Sequence, residues 1–325
     1  MTAEAVLSKD ADTIDVTTPS AGYAAGEVIQ LPDGRAAVVC GLTAKVSGDA
    51  AALKTLGQHN FQKNSLVILK GALVYWDRSA GVASPIKDLA TGDFALGVAL
   101  EDAGASAADV IVDLNVKPHY LIDLHRDAFE SLVVKTVVGS TTVTIPDVVT
   151  RGGQTQLTMG LTAEAQKVDL MSKNSIPKTI PFIVEGRVAV YDIGDAAALD
   201  INIGIANGTH ATSFDSVTEY VSLHLDGNVL TILAQSTDGT TTVAAVTTTL
   251  SAVDDTYFDF AMDCRDLSDI QLYINGVNVL PASVFKLNAA TGPFKLIAHM
   301  EKTSDDTPGE IRVAEFTART MDIAA

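Results

Sequence analysis

Residues 219–250 read EYVSLHLDGNVLTILAQSTDGTTTVAAVTTTL. Tyr220, Ser222 and His224 interleave with Val221, Leu223 and Leu225, a period of two that sends alternate side chains to opposite faces of a strand. Gly227-Asn228 then supplies a turn, and a second run of β-formers follows. The pattern recurs where Gln271 and Tyr273 interleave with Leu272 and Ile274 and stop at Asn275-Gly276, a two-residue hairpin signal. From SLVVKTVVGSTTVTIP (131–146) to the chain end, strand signals succeed one another at about ten-residue spacing. Such a series predicts an antiparallel jelly-roll β-sandwich, each sheet with one buried and one wet face. One stretch, AEAQKVDLMSK (163–173), reads instead as a short helix or helical turn.

Composition agrees with an all-β chain. Of 325 residues, 47% are hydrophobic but only 6% aromatic, which suits thin sheets rich in Val, Thr, Ala and Gly. Forty acidic against 22 basic residues give a net charge of −18, and the acids are spread along the chain. That surface repels nucleic acid and anionic membranes. No window approaches a membrane span, and residues 1–20 lack a basic start followed by an apolar run, so neither anchoring nor export is expected. Cys40 and Cys264 stand far apart in apolar runs and read as buried free thiols.

Texture divides the chain. Residues 1–20 are polar and without a sustained period, an extended N-terminal arm. Residues 21–117 carry short strands broken by Gly, Asp and Ser, closing at Lys117-Pro118, and predict a small β-barrel-like domain; residues 118–325 form the sandwich. Within the first block, GEVIQLPDGRAAVVCGL (26–42) is a hairpin about Pro32-Asp33-Gly34, and GALVYWDRSAGVAS (71–84) is a second one holding the only tryptophan. Indole combines a large apolar area with one N–H needing a partner, so Tyr75, Trp76 and Asp77 are the structural or interface candidates, with Trp76 at a core edge or a subunit seam.

Catalytic chemistry finds little support. Asp259 and Asp263 share a strand face and are the one carboxylate pair a glycosidase could use, but the segment lacks the Glu-x-Asp-x-x-Glu arrangement of glucanases built on such sandwiches. The acidic loops at 236–240, 253–256 and 304–310 lack the ligand spacing of a calcium loop and read as solvated turns. There is no close His pair or C-x-x-C for zinc, and no nucleophile elbow, P-loop or dinucleotide fingerprint. No catalytic residue, cofactor or metal is therefore expected. Asn207-Gly208-Thr209 matches the glycosylation rule but, without an export signal, reads as a turn.

Taken in order, GYAAGEVIQLPDGRAAVVCGL (22–42), GALVYWDRSAGVAS (71–84) and FALGVALEDAGASAADVIVDLN (94–115) resemble the β-domain of tailed-bacteriophage capsid decoration, or cement, proteins. The carrying residues are Val74-Tyr75-Trp76-Asp77, Gly97-Val98-Ala99 and the closing strand Val110–Asn115. The resemblance implies a structural, non-enzymatic protein on the outer surface of a virion capsid, made in the host cytoplasm. It implies the major capsid protein as partner and a homotrimer as assembly, with neither nucleic acid nor membrane involved. Residues 269–280 and 292–320 are similar to the concanavalin-A-like or laminin-G-like sandwiches appended to phage structural proteins, which leaves a surface glycan as an alternative partner.

Overall fold

The structure is a computed structural model that describes residues 13–88, 91–118, 122–123, 134–144 and 154–320. It divides into two compact units, Met1–Pro118 and His119–Ala325. The class is all-β; among the described residues the helical content is one 3-10 turn, Phe214–Ser216. No described helix is long and apolar enough to cross a membrane.

Unit 1 contains β1 (Thr13–Thr17), β2 (Val28–Gln30), β3 (Ala36–Val39), β4 (Ala50–Lys54), β5 (Gln58–Gln62), β6 (Leu73–Asp77), β7 (Val82–Ser84), β8 (Phe94–Ala99) and β9 (Asp109–Leu114). They form two antiparallel sheets, ordered β1-β4-β3-β2 and β5-β9-β8-β6-β7, and a bridge between Lys63 and Ala83 draws the two ends of the second together. Both predicted hairpins are present: β2–β3 turns at Gly34, with φ of 89°, and β6–β7 at Asp77–Gly81. The expected arm differs from the structure over Thr13–Thr17, which pairs with β4; Ile14 and Val16 alternate with polar residues and so qualify as an edge strand. Residues 1–12 lie outside the described residues.

Two residues fix the backbone of unit 1 around the end of β9. Asn115, at φ of 61°, accepts from Ala36 N (2.9 Å) and donates to Ala36 O (2.9 Å) and Thr55 O (2.7 Å), joining the end of β9 to the other sheet. Gly97, at φ of 158°, lies so close to β9 that a Cβ would stand 2.0 Å from Asp113 O. Both belong to the stretches that carry the family resemblance, and both act on the backbone. Around them Ile68, Val74, Phe94, Leu96, Val110, Val112 and Leu114 form the core.

Unit 2 contains β10 (Ile122–Asp123), β11 (Val134–Val138), β12 (Thr141–Thr144), β13 (Thr155–Met159), β14 (Glu164–Met171), β15 (Phe182–Asp192), β16 (Leu199–Ala206) and β17 (Glu219–Asp226). It continues with β18 (Thr231–Asp238), β19 (Thr242–Ser251), β20 (Tyr257–Cys264), β21 (Gln271–Ile274), β22 (Val277–Asn278), β23 (Lys295–Asp305) and β24 (Gly309–Thr320). One sheet runs β12-β13-β24-β15-β20-β21-β22, with β10 paired to β24; the other runs β11-β14-β23-β16-β17-β18-β19. Sequential hairpins such as β16-β17-β18-β19 and β20-β21-β22 join long-range neighbours such as β15-β24 and β16-β23, as in a jelly roll. Between the sheets lies a continuous apolar core that includes Val184, Val188, Ile201, Ile203, Leu223, Phe260, Met262, Leu296 and Phe316. Asn275 and Gly276 both have positive φ, the backbone a two-residue hairpin turn requires.

The helix expected at 163–173 is absent, because residues 164–171 form β14. Val168 and Leu170 point into the core while Lys167, Asp169 and Met171 occupy the opposite face, and that face is buried as well. Burial on both sides removes the apolar/polar contrast that marks a strand in sequence. Both cysteines are free thiols; Cys264 is buried, whereas Cys40, just past the end of β3, is only half-buried.

Candidate functional site

In unit 1 the three candidate residues sit together on β6. Asp77 closes the hairpin: its Oδ1 accepts from Ser79 N (2.9 Å), Ser79 Oγ (2.7 Å) and Ala80 N (2.9 Å), and these bonds hold its carboxyl below the usual range. Tyr75 lies under Lys87, whose Nζ is 5.9 Å from the ring centroid. Trp76 is half-buried, packs edge-on against Phe61 at 6.1 Å between centroids, and leaves part of the indole open. That open part borders a cleft of about 320 Å³ lined by Gly26, Glu27, Val28, Ile29, Trp76, Arg78 and Phe94. Trp76 is thus both a core edge and a surface.

Unit 2 holds a polar layer that sequence reasoning missed. On the face of the seven-stranded sheet away from the core, register aligns Lys167, Glu301, Asp200 and Asp226 in one row. Asp169, His299, Asn202 and His224 form the next row. His299 is fully buried between Asp169 Oδ1 (2.6 Å from Nδ1) and Glu301 Oε2 (3.4 Å from Nε2). Burial alone would lower its pKa, but the two carboxylates outweigh that and raise it. His224 Nδ1 lies 3.2 Å from Asp200 and Nε2 3.1 Å from Asp226; burial opposes the charged form here too, yet these partners lift the pKa to about 9. The His224 imidazole is therefore a cation at neutral pH, and the carboxylates beside His299 favour its charged form.

The segment 207–218 lies across this layer. Phe214 stacks on His299 (5.1 Å) and Tyr220 (4.7 Å), and its N–H donates to Glu301 Oε1 at 3.0 Å. Gln235 Nε2 donates to Asp215 (3.3 Å) and to Asn202 Oδ1 (2.9 Å), while Lys167 Nζ donates to His210 O. Asn207, the sequon residue, donates to Thr218 Oγ1 at 3.0 Å within the same segment. The lid closes over His299 and leaves the Asp200–His224–Asp226 end half-open. Ser222 is spent on Asn202 Oδ1 (3.0 Å) rather than on a histidine, so no nucleophile–base pair is formed there.

The other candidate carboxylates are separately employed. Asp259 faces Arg187 at 3.4 Å, with its pKa raised by burial despite that charge; Asp263 pairs with Arg265 at 2.6 Å. Four residues along one strand separate them by about 13 Å, beyond the spacing of a glycosidase pair. In the acidic loops, Asp238 caps Thr240 N and Thr241 N, and Asp305 caps Thr307 N. Among the described residues no group of three or more His, Cys, Asp or Glu side chains could hold a metal ion.

The polar layer had one legible signal. Lys167/Asp169, Asp200/Asn202, Ser222/His224/Asp226 and His299/Glu301 each stand two apart within otherwise apolar runs. What the sequence lacks is the cross-strand register that sets them side by side.

Comparison with known proteins bears first on unit 1: residues 8–114 match the family model of phage cement proteins. No curated protein matches the chain. Among solved structures, the chain is similar to a point mutant of the Emp46p carbohydrate recognition domain at 12% identity, over 62% of this chain and 95% of that one, with a TM-score of 0.44. It is similar to a protein of unknown function from Shewanella oneidensis MR-1 at 12% identity, over 60% and 81% of the two chains, with a TM-score of 0.39. A Bacteroides ovatus mixed-linkage glucan GH16 protein in complex with a product is 9% identical, over 59% and 95%, with a TM-score of 0.41.

Proposed function

We propose that this chain, with a phage cement protein region at residues 8–114, is a non-enzymatic virion protein that decorates and stabilises the outer surface of a tailed-phage capsid. The single observation that carries this reading is that the family match falls wholly within unit 1. The major capsid protein is the partner, a homotrimer the assembly, and the host cytoplasm the place of synthesis. Charge supports a division of labour. Unit 1 has 14 acidic and 9 basic residues and unit 2 has 26 and 13, so net charges of −5 and −13 put most of the repulsive surface on the sandwich. A sandwich on the solvent side would keep heads apart from one another and from DNA.

Addition of the full chain to shells lacking it tests the proposal. Saturable co-sedimentation with the shells, together with a higher temperature of shell disruption, is the expected result; a chain that stays in the supernatant overturns it. A second reading, a virion-displayed glycan-binding module, draws on the half-open row of Asp200, His224 and Asp226 with Gln235 beside it. Retention on a glycan array that Gln235→Ala abolishes would favour it.

A further inference from the structure

Four features converge on the cleft beside Trp76. First, among the described strands β2 ends its sheet, pairing with β3 alone. The bonds Val39 N to Glu27 O (2.9 Å) and Leu31 N to Arg35 O (2.8 Å) turn the backbones of Glu27 and Leu31 toward β3. By antiparallel alternation Ile29 faces β3 as well, while Val28 and Gln30 aim their N–H and C=O groups at the free edge. Second, the Trp76 indole N–H has no hydrogen-bond partner among the described residues, although its ring walls the cleft. Third, the Arg78 guanidinium is exposed and has no carboxylate partner among the described residues. Fourth, Val28 and Phe94 give the cleft an apolar floor continuous with the core.

An unpaired strand edge binds an extended chain, and specificity then comes from side chains seated beside it. Here the seats are an apolar floor under an indole and the Arg78 cation, while Glu27, the carboxylate that also lines the cleft, already accepts from Ala24 N at 2.7 Å. The geometry points to an extended segment of the capsid shell protein that adds as a strand to β2, laying an apolar side chain on Trp76 and a carboxylate against Arg78. This inference rests on the reading of the chain as capsid-binding and names the surface that does the binding. The arrangement suits an acidic–apolar segment and disfavours a basic one, because Arg78 would then face a like charge.

Two variants of the full chain test it, chosen to leave the fold intact. Arg78→Glu alters an exposed turn residue, and Val28→Pro removes an outward N–H from an edge strand, a place where proline is tolerated. Circular dichroism and melting confirm folding before binding is measured. Each variant is expected to weaken co-sedimentation with undecorated shells by about tenfold or more, and Arg78→Lys to retain most of it. Hydrogen exchange on the wild-type protein adds a readout that a merely structural role would not move: the amides of Val28 and Gln30 gain protection when shells are added. If the wild type binds shells while both variants bind equally well and those amides stay unprotected, the cleft is not the docking surface and the capsid reading survives. If the wild type fails to bind shells, the capsid reading falls and this inference with it. If the two amides become protected on raising the concentration of the protein alone, the occupant is a second copy, and the shell segment is overturned.

Discussion

The two units place their charged groups differently. Unit 1 encloses a small apolar core and uses carboxylates to close turns, as with Asp77 at the Trp76 hairpin. Unit 2 has a large apolar core and then buries a second, polar layer on the far side of one of its sheets. A turn carboxylate is replaceable at small cost, but a buried cation clamped by carboxylates is not. Stability of the sandwich should therefore depend on pH and on single polar atoms, whereas unit 1 should depend on packing and on the bonds that tie its sheets. The unit with the cement match presents an open cleft beside Trp76, and the unit with most of the charge covers His299 while leaving Asp226 exposed.

The largest expected effect comes from the polar layer. Asp169→Ala leaves His299 buried with one carboxylate in place of two, and should lower the unfolding free energy of unit 2 by about 3–5 kcal/mol. Calorimetry should show one transition shifted and the other unmoved. A shift of both would mean that the two units do not unfold separately.

Next is Asn115→Ala, which deletes three hydrogen bonds between the sheets of unit 1 and leaves Ala36 N and Thr55 O unpaired by it. A loss of about 2–4 kcal/mol confined to unit 1 is expected, read in the same scan. Trp76→Ala should cost less than a fully buried indole, about 2 kcal/mol, because part of the ring is already exposed. A larger loss would place the indole deeper in the core than its exposure indicates.

The pH dependence sharpens the contrast further. His224 is raised from 6.5 to about 9, so its contribution is fully present below 6.5 and is lost as pH rises through about 9. Glu301 is depressed: burial opposes ionisation, but His299 and the Phe214 N–H outweigh it, so its contribution is present above 4.5 and falls away on acidification. The melting temperature of unit 2 should decline on both sides of that window, with the alkaline limb worth up to about 3 kcal/mol. Asp226→Asn should flatten the alkaline limb. An unchanged limb would show that Asp226 contributes nothing to holding the imidazolium.

The class, the jelly-roll sandwich and the two unit 1 hairpins were legible in sequence because each rests on local signals: a period of two, and turn residues that tolerate positive φ. Gly34 and Asn275-Gly276 could be read directly in that way. The Trp76 hairpin was legible for the same reason, but not its cleft, since Val28 and Phe94 reach it from other strands. Residues 164–171 misled because both faces of that strand are covered, and β1 because a short edge strand carries few apolar residues. The polar layer escaped altogether: its members lie up to 134 positions apart, from Lys167 to Glu301, and only strand register makes them neighbours.

The central claim is that unit 1 holds the capsid while the sandwich does not. Electron cryomicroscopy of shells decorated with the full chain measures this directly. The expected map shows the two sheets of unit 1, recognisable by the β2 edge and the Trp76 hairpin, against the shell, with the sandwich beyond them in solvent. A map in which the sandwich sits on the lattice and unit 1 makes no contact with it would contradict the account.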